Sequence, residues 1–208
     1  MTDLEIIGIP FSNYVRSVRL LCEEKGVSYK LNAAMPHSAD VKAIHPGGQV
    51  PCLKHKDVAL FESQAIATYI DKAFPGPKLI PEDALGAALC TQWVSYGNVQ
   101  VDRWIMREFV VPSVFFDKAK GPDTAKIGTA MPQMDKVLGV LEKALAKTGH
   151  LVGDKLTFAD LNVAPMIAAL ERFPHGKELL ARNPNVTAFL AKMKARPSWP
   201  KTEPPPRG

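Results

Sequence analysis

The stretch FPGPKLIPED, Phe74 to Asp83, separates two parts of the chain that have different hydrophobic periods. It holds three prolines and a glycine in ten residues. No helix runs through such a segment, because proline lacks the amide donor and its ring clashes with the preceding turn. The stretch therefore reads as a linker between two domains, residues 1–77 and 84–208.

Ahead of the linker, short β-branched runs alternate with helical faces. LEIIGI, Leu4 to Ile9, is an apolar run stopped by Pro10, as a buried strand would be. Ser12 then precedes Val15, Val18, Leu21 and Cys22, which share one face of a helix ending at Gly26. A second strand is expected near Ser28 to Leu31, then a polar loop with Pro36, Pro46, Gly47 and Gly48. VPCLKHKDVALF reads as two strands joined by a turn at Lys56-Asp57, and Glu62 to Phe74 as a helix with Ile66, Tyr69, Ile70 and Phe74 inward. The order βαβ then ββα is that of a thioredoxin-like α/β domain, a mixed sheet between helices.

Beyond the linker every apolar pattern is helical, which predicts an all-α C-terminal domain. Leu85 to Val111 forms one long helical pattern, and Met134, Val137, Leu138, Leu141 and Leu145 hold a clear helical register. In LTFADL, Thr157 stands at an N-cap with Asp160 three residues on, close to a capping box, flanked by Leu156 and Leu161 at staple positions. Pro165 should bend that helix or leave a carbonyl free. A last helix is expected from about Pro184 to Ala195, ending at RPSWP, with TEPPPRG as a loose tail.

Composition narrows the function. With 208 residues, 46% of them hydrophobic, the chain can bury a sizeable core. No apolar run approaches the ~20 residues that span a bilayer, and MTDLEIIGIP opens with an acid pair where a signal peptide needs basic residues, so the cytoplasm is expected and no membrane. The net charge of +5 comes from scattered basic residues rather than a run, so no nucleic acid is expected and a small anionic ligand fits the charge as well. Cys22, Cys52 and Cys90 form neither a disulfide framework nor a CxxC pair and read as small buried hydrophobes. His37, His45, His55, His150 and His175 have no metal-ligand spacing, so no metal is expected and surface positions are.

Three stretches, GIPFSNYVRSVRLLCEEKG, HPGGQVPCL and LFESQAIATYI, taken in order with the helical second part, resemble the cytosolic glutathione transferase family. The serine-type members, theta- and phi-like and many of them bacterial, are the most similar. TFADL followed by a helical proline resembles the family's C-terminal domain, where the aspartate is a folding element, so Asp160 is read as structural. The resemblance implies glutathione as co-substrate without a further cofactor, a small hydrophobic electrophile as second substrate, and a two-fold homodimer.

The chemistry asks for thiolate stabilisation. A free thiol has a pKa of ~8.5, and lowering it by ~2 units takes ~2.7 kcal/mol of preference for the anion. One hydrogen bond to a charged acceptor supplies ~1.5–3 kcal/mol, and a helix N-terminus adds to it. The resemblance makes Ser12 that donor, the catalytic residue. By itself Ser12 reads first as a helix cap, and it is the companion motifs that reverse the order. Tyrosine-type members carry their tyrosine where Gly8 stands, and cysteine-type members have a cysteine near Ser12, which this chain lacks. Asn13 is a second candidate donor, and Arg16 is expected on a solvated face.

For the rest of glutathione, the resemblance implies that Pro51 follows a cis bond and that Val50 pairs with the cysteinyl backbone, with Gln49 beside it. Ser63 and the free amides of its helix would take the γ-glutamyl carboxylate, and Glu62 the ammonium; a charge-favouring helix start also accounts for Glu62. His37, with Lys42 as rival, stands where the family often has a basic residue for the glycyl carboxylate. The electrophile pocket is expected to draw mostly on the helical domain, with Phe11, Trp104, Phe109 and Phe116 as walls or as core. Two other readings remain: a non-catalytic ligand-carrying or docking module of the same fold, and a glutathione-dependent isomerase or ether-cleaving enzyme.

Overall fold

The computed structural model describes residues 3–205. The chain divides into two compact units. One comprises the residues up to Asp83 together with those from Ala195 onward, and the other is Ala84–Lys194.

The first unit is built on strands β1 (Leu4–Ile7), β2 (Lys30–Asn32), β3 (Cys52–His55) and β4 (Val58–Phe61), in the sheet order β2-β1-β3-β4. β1 and β2 are parallel and are connected by helix α1 (Asn13–Lys25); β3 runs antiparallel to both β1 and β4. This is the expected mixed sheet. Two residues, Lys56 and Asp57, separate β3 from β4, and Lys56 takes a positive φ of 53° of the kind that tight hairpins need.

The second strand is shorter and later than the sequence pattern indicates. Gly26 caps α1 in the left-handed conformation and the Val27 amide still bonds back to the Cys22 carbonyl, so the end of the helix holds the chain through Val27 and the strand starts later. Apolar side chains of α1 and of α3 (Ser63–Ala73) fill the core with the sheet: Val15, Val18, Leu21, Ile6, Leu53, Ile66 and Ile70 are all inaccessible to solvent. Tyr69 and Phe74, expected inward, are half-buried around His55, whose Nδ1 lies 2.7 Å from the Tyr69 hydroxyl.

Two expectations at the tail are overturned. Residues 198–202 form a short helix, α10 (Ser198–Thr202), packed on α1, and Thr202 is fully buried rather than loose. Arg16, expected on a solvated face, is buried with its guanidinium carbon 4.0 Å from the centre of the Trp199 ring. Arg19 Nη1 and Nη2 donate to the carbonyls of Thr202 (3.1 Å) and Lys201 (3.0 Å), satisfying acceptors that a helix end leaves free. The helix thus serves as a lid for both arginines, of which Arg16 is the one that the sequence reading assigns to water. The final residues of the tail, 206–208, lie outside the described residues.

The second unit is helical. Helix α4 (Ala84–Tyr96) runs into a π-helical stretch, Gly97–Val110, and then α5 (Val111–Val114), so the predicted long helix is continuous but changes winding at Gly97. A side chain at Gly97 would meet Asn162 and Val163 at 3.0 Å, which explains the glycine. Met134, Val137, Leu138, Leu141 and Leu145 are the buried stripe of α6 (Thr124–Leu145), as their register predicts. Helix α7 (Phe158–Ala168) opens with the full capping box: Asp160 accepts from the Thr157 amide at 2.8 Å and also from the Leu151 amide at 2.9 Å. The carboxylate is inaccessible to solvent and fully engaged by backbone, a structural role. α7 carries Pro165 internally and gives way at Ala169 to a 3-10 turn, followed by α8 (Pro174–Arg182) and α9 (Pro184–Lys194).

Candidate functional site

Sheet register gathers the candidate residues at one end of the first unit. Ile7 pairs with Cys52 and Cys52 with Phe61, so Gly8, Pro51 and Glu62 are the next residues on three adjacent strands. Gly8 marks how closely the segments approach there. With φ at 151°, a Cβ on it would lie 2.5 Å from Val15 Cγ2 and 2.9 Å from Val50 Cβ. The first turn of α1 and the loop before β3 are packed against each other through that missing side chain.

Ser12 is the N-cap of α1, in extended conformation and partly buried. Its Oγ accepts a long 3.4 Å bond from the Val15 amide. Capping uses a lone pair of the oxygen, so the hydroxyl proton stays available, and it has no acceptor among the described residues. The side chain of Asn13, next to it, likewise makes no hydrogen bond among them.

The peptide bond between Val50 and Pro51 is cis. Neither the amide nor the carbonyl of Val50 bonds to any described residue, and the side chain of Gln49 is exposed. His37 is brought to the same loop: its amide donates to the Gly48 carbonyl at 2.7 Å, and both residues adopt positive φ. Lys42, the last residue of α2 (Ala39–Lys42), is exposed and has no contact with that loop of the kind His37 makes.

Glu62 precedes α3 with φ 68° and ψ 119°, a conformation rare for any residue with a side chain. Its side chain does not cap the helix, whose first internal bond is from the Ile66 amide to the Glu62 carbonyl. The amides of Ser63, Gln64 and Ala65 therefore have no acceptor among the described residues, and the Ser63 hydroxyl has none either. An uncapped helix start with three amides and a hydroxyl is an anion site in chemical terms.

One residue of this region is missed by sequence reasoning. His45, grouped above with surface histidines, is 7% exposed. Its Nδ1 accepts from the Gly47 amide at 2.9 Å, its Nε2 lies 3.6 Å from Glu62 Oε1, and its ring lies against Phe61. The sequence signal was the histidine that opens the Pro-Gly-Gly turn of HPGG, where an imidazole can close the loop upon itself. His150 is buried as well, 2.7 Å from Lys192 Nζ and 3.5 Å from Asp160 Oδ2.

Other candidates are placed plainly. Phe11 and Phe116 are exposed; Phe109 is core, with its ring edge-on to Phe173 at 5.1 Å; Trp104 is half-buried. The three cysteines are buried as expected, and burial pushes the Cys22 thiol up to about 12 and the Cys52 thiol up to about 11. Burial also pulls the Arg16 guanidinium down to about 10, with Glu203 opposing. Among the described residues no three His, Cys, Asp or Glu cluster as a metal site needs, and no helix is long and apolar enough to cross a membrane.

Residues 6–78 match the family model "Glutathione S-transferase, N-terminal domain", and residues 106–199 the model "Glutathione S-transferase, C-terminal domain". Glutathione S-transferase 3 of Zea mays is 32% identical, over 97% of this chain and 94% of that protein. Among solved structures, poplar glutathione transferase F1 superposes with a TM-score of 0.85 at 29% identity, covering 97% of each chain. The theta class glutathione S-transferase of Xanthomonas axonopodis pv. citri, solved with glutathione bound, gives 0.85 at 25% identity and the same coverage.

A four-stranded mixed sheet domain followed by an all-helical unit is the architecture of the glutathione transferase structures to which the chain is similar. The chain belongs to the glutathione S-transferase family. It is a glutathione transferase.

Proposed function

We propose that this transferase is a serine-type enzyme, phi- and theta-like, in which the Ser12 hydroxyl donates a hydrogen bond to the thiolate of glutathione. The observation that carries the reading is the state of that hydroxyl. Its oxygen accepts from the Val15 amide while its proton is uncommitted, so capping and activation are compatible in one side chain. The helix start adds its own preference for the anion. Asn13, one residue on, offers a further amide donor at the rim.

The tripeptide would lie along the sheet end. Val50 supplies an unpaired amide and carbonyl for the cysteinyl backbone, beside Pro51 and Gln49. The open amides of α3 and the Ser63 hydroxyl take the γ-glutamyl carboxylate, and Glu62 takes its ammonium. His37, held at Gly48, faces the glycyl carboxylate. The activated sulfur then attacks a small hydrophobic electrophile. In aromatic substitution a leaving group departs with the bonding pair; in conjugate addition the product carbanion takes a proton; peroxide reduction is a further reaction of the same thiolate. The reading carries with it a cytoplasmic homodimer.

The test is a titration of bound glutathione by thiolate ultraviolet absorbance, in the wild-type protein and in Ser12→Ala. The expected result is ionisation well below the free thiol pKa in wild type and a near-free value in the variant. An unmoved pKa in both proteins would make Ser12 a cap alone.

A further inference from the structure

We infer that His45 is a positioning residue for Glu62, and through it for the ammonium of the γ-glutamyl group. The inference rests on the glutathione-binding reading above and adds a residue to it.

Three observations carry it. The first is the tautomer. The Gly47 amide donates to His45 Nδ1 at 2.9 Å, so in the neutral ring the proton sits on Nε2. The second is direction. Nε2 points at Glu62 Oε1 from 3.6 Å, just outside hydrogen-bond range, and the ring is pinned by burial and by Phe61, whose centroid is 4.8 Å away. The third is the freedom of the partner. The Glu62 side chain is 65% exposed and caps nothing, while its backbone is fixed at an unusual positive φ. The backbone sets where the side chain leaves the chain; His45 is the buried donor that limits where the carboxylate ends. A small swing closes the contact on Oε1 and leaves Oε2 for a cation.

A neutral donor suits this purpose. A lysine or arginine at the same place would neutralise Glu62 and repel the ammonium, whereas an Nε2–H holds one oxygen and preserves the charge.

Two substitutions separate this role from a loop-structural one. In His45→Asn the side-chain amide overlays the Nδ1 position and retains an acceptor for Gly47, but does not reach Glu62. In His45→Gln it reaches the Nε2 position. Calorimetric Kd is measured for glutathione and for glutaryl-cysteinyl-glycine, which lacks only the ammonium. The expected result for His45→Asn is a glutathione Kd raised roughly threefold to tenfold, the size of one lost hydrogen bond. The Kd for the deaminated analogue stays at its wild-type value, and His45→Gln recovers most of the loss. The bound thiol's pKa is unchanged in both variants, because Ser12 is intact. An unchanged glutathione Kd in His45→Asn, an equal loss for both ligands, or no recovery in His45→Gln overturns the inference. Failure of the underlying reading is seen separately, in the wild-type protein, as a bound thiol whose pKa does not move.

Discussion

Lys25 Nζ lies 3.1 Å from Asp71 Oδ1, with the two side chains 0% and 4% exposed. Lys25 also donates to the Pro77 carbonyl at 2.8 Å, and the same Asp71 oxygen accepts from the Leu79 amide at 2.9 Å. The pair joins α1, α3 and the proline-rich linker, so the linker is held against the first unit over its middle residues. Removing one member strands a buried charge, which costs about 3–5 kcal/mol, whereas replacing both with apolar groups of similar volume is far milder. Asp71→Ala should therefore lower the stability measured by urea unfolding by that amount, and Lys25→Met with Asp71→Leu should lose much less. Equal losses in the single and double variants would show that the charge pairing is not what holds the linker.

Capping and activation by Ser12 separate under Ser12→Asp. Aspartate is as good an N-cap as serine, and its charge is favourable at a helix start. As an ionised carboxylate it has no proton to donate. Ser12→Asp should keep unfolding stability within about 0.5 kcal/mol of wild type, while Ser12→Ala loses about 1 kcal/mol. Both variants should lose the lowered thiol pKa, and in Ser12→Asp the pKa of bound glutathione should rise above the free value through repulsion. Activation retained in Ser12→Asp would assign the thiolate's donor to another group.

The elements that the sequence makes legible are those whose pattern is local. The apolar run at Leu4–Ile7, the helical register of Met134 to Leu145 and the capping box at Thr157 and Asp160 are set by neighbours within a few residues, and the fold keeps them. Arg16 and the tail fail for the opposite reason. The partners of Arg16 and Arg19 are Trp199, Lys201 and Thr202, more than 180 residues away, and a periodicity window cannot see a counter-surface that distant. In the site, Ser12, Val50, Pro51, Glu62 and Ser63 stand out through their motifs. His45 does not, because its significance comes from a tertiary contact with Glu62 and from burial that its loop composition conceals.

Glu24 makes the attachment of α10 sensitive to acid. Arg196 Nε and Nη2 donate to its two carboxylate oxygens at 2.7 and 2.6 Å, and the Ser198 hydroxyl also donates to it. Burial on its own would raise the pKa of this carboxyl, but the bonds from Arg196 and Ser198 and the Arg196 charge outweigh it and hold the group below its ordinary value of 4.5. A carboxyl with a lowered folded pKa binds fewer protons in the native than in the unfolded state, so its contribution is present above the ordinary pKa and disappears as pH falls through the lower folded one. Between neutral pH and that acid window the urea midpoint of wild type should fall more than that of Glu24→Gln, which has no proton to gain there. Parallel pH profiles for the two proteins would mean that the clamp does not contribute to the acid limb.

The cysteines provide the last check, on the sulfur that reacts. Burial raises the thiols of Cys22, Cys52 and Cys90 above their ordinary value of 9.0, to about 12 and about 11 for the first two. The reactive form of cysteine is the thiolate, and at neutral pH these groups are almost wholly protonated as well as shielded. Native protein incubated with iodoacetamide near pH 7 should therefore take up no label at any of the three, read by intact mass, and keep its transferase activity. In urea all three should be alkylated, as free thiols exposed by unfolding are. If one cysteine labels in the native state and activity falls with it, the protein's own sulfur takes part in the chemistry. If labelling is silent and activity is kept, the reacting sulfur is that of glutathione and not of a cysteine of the protein.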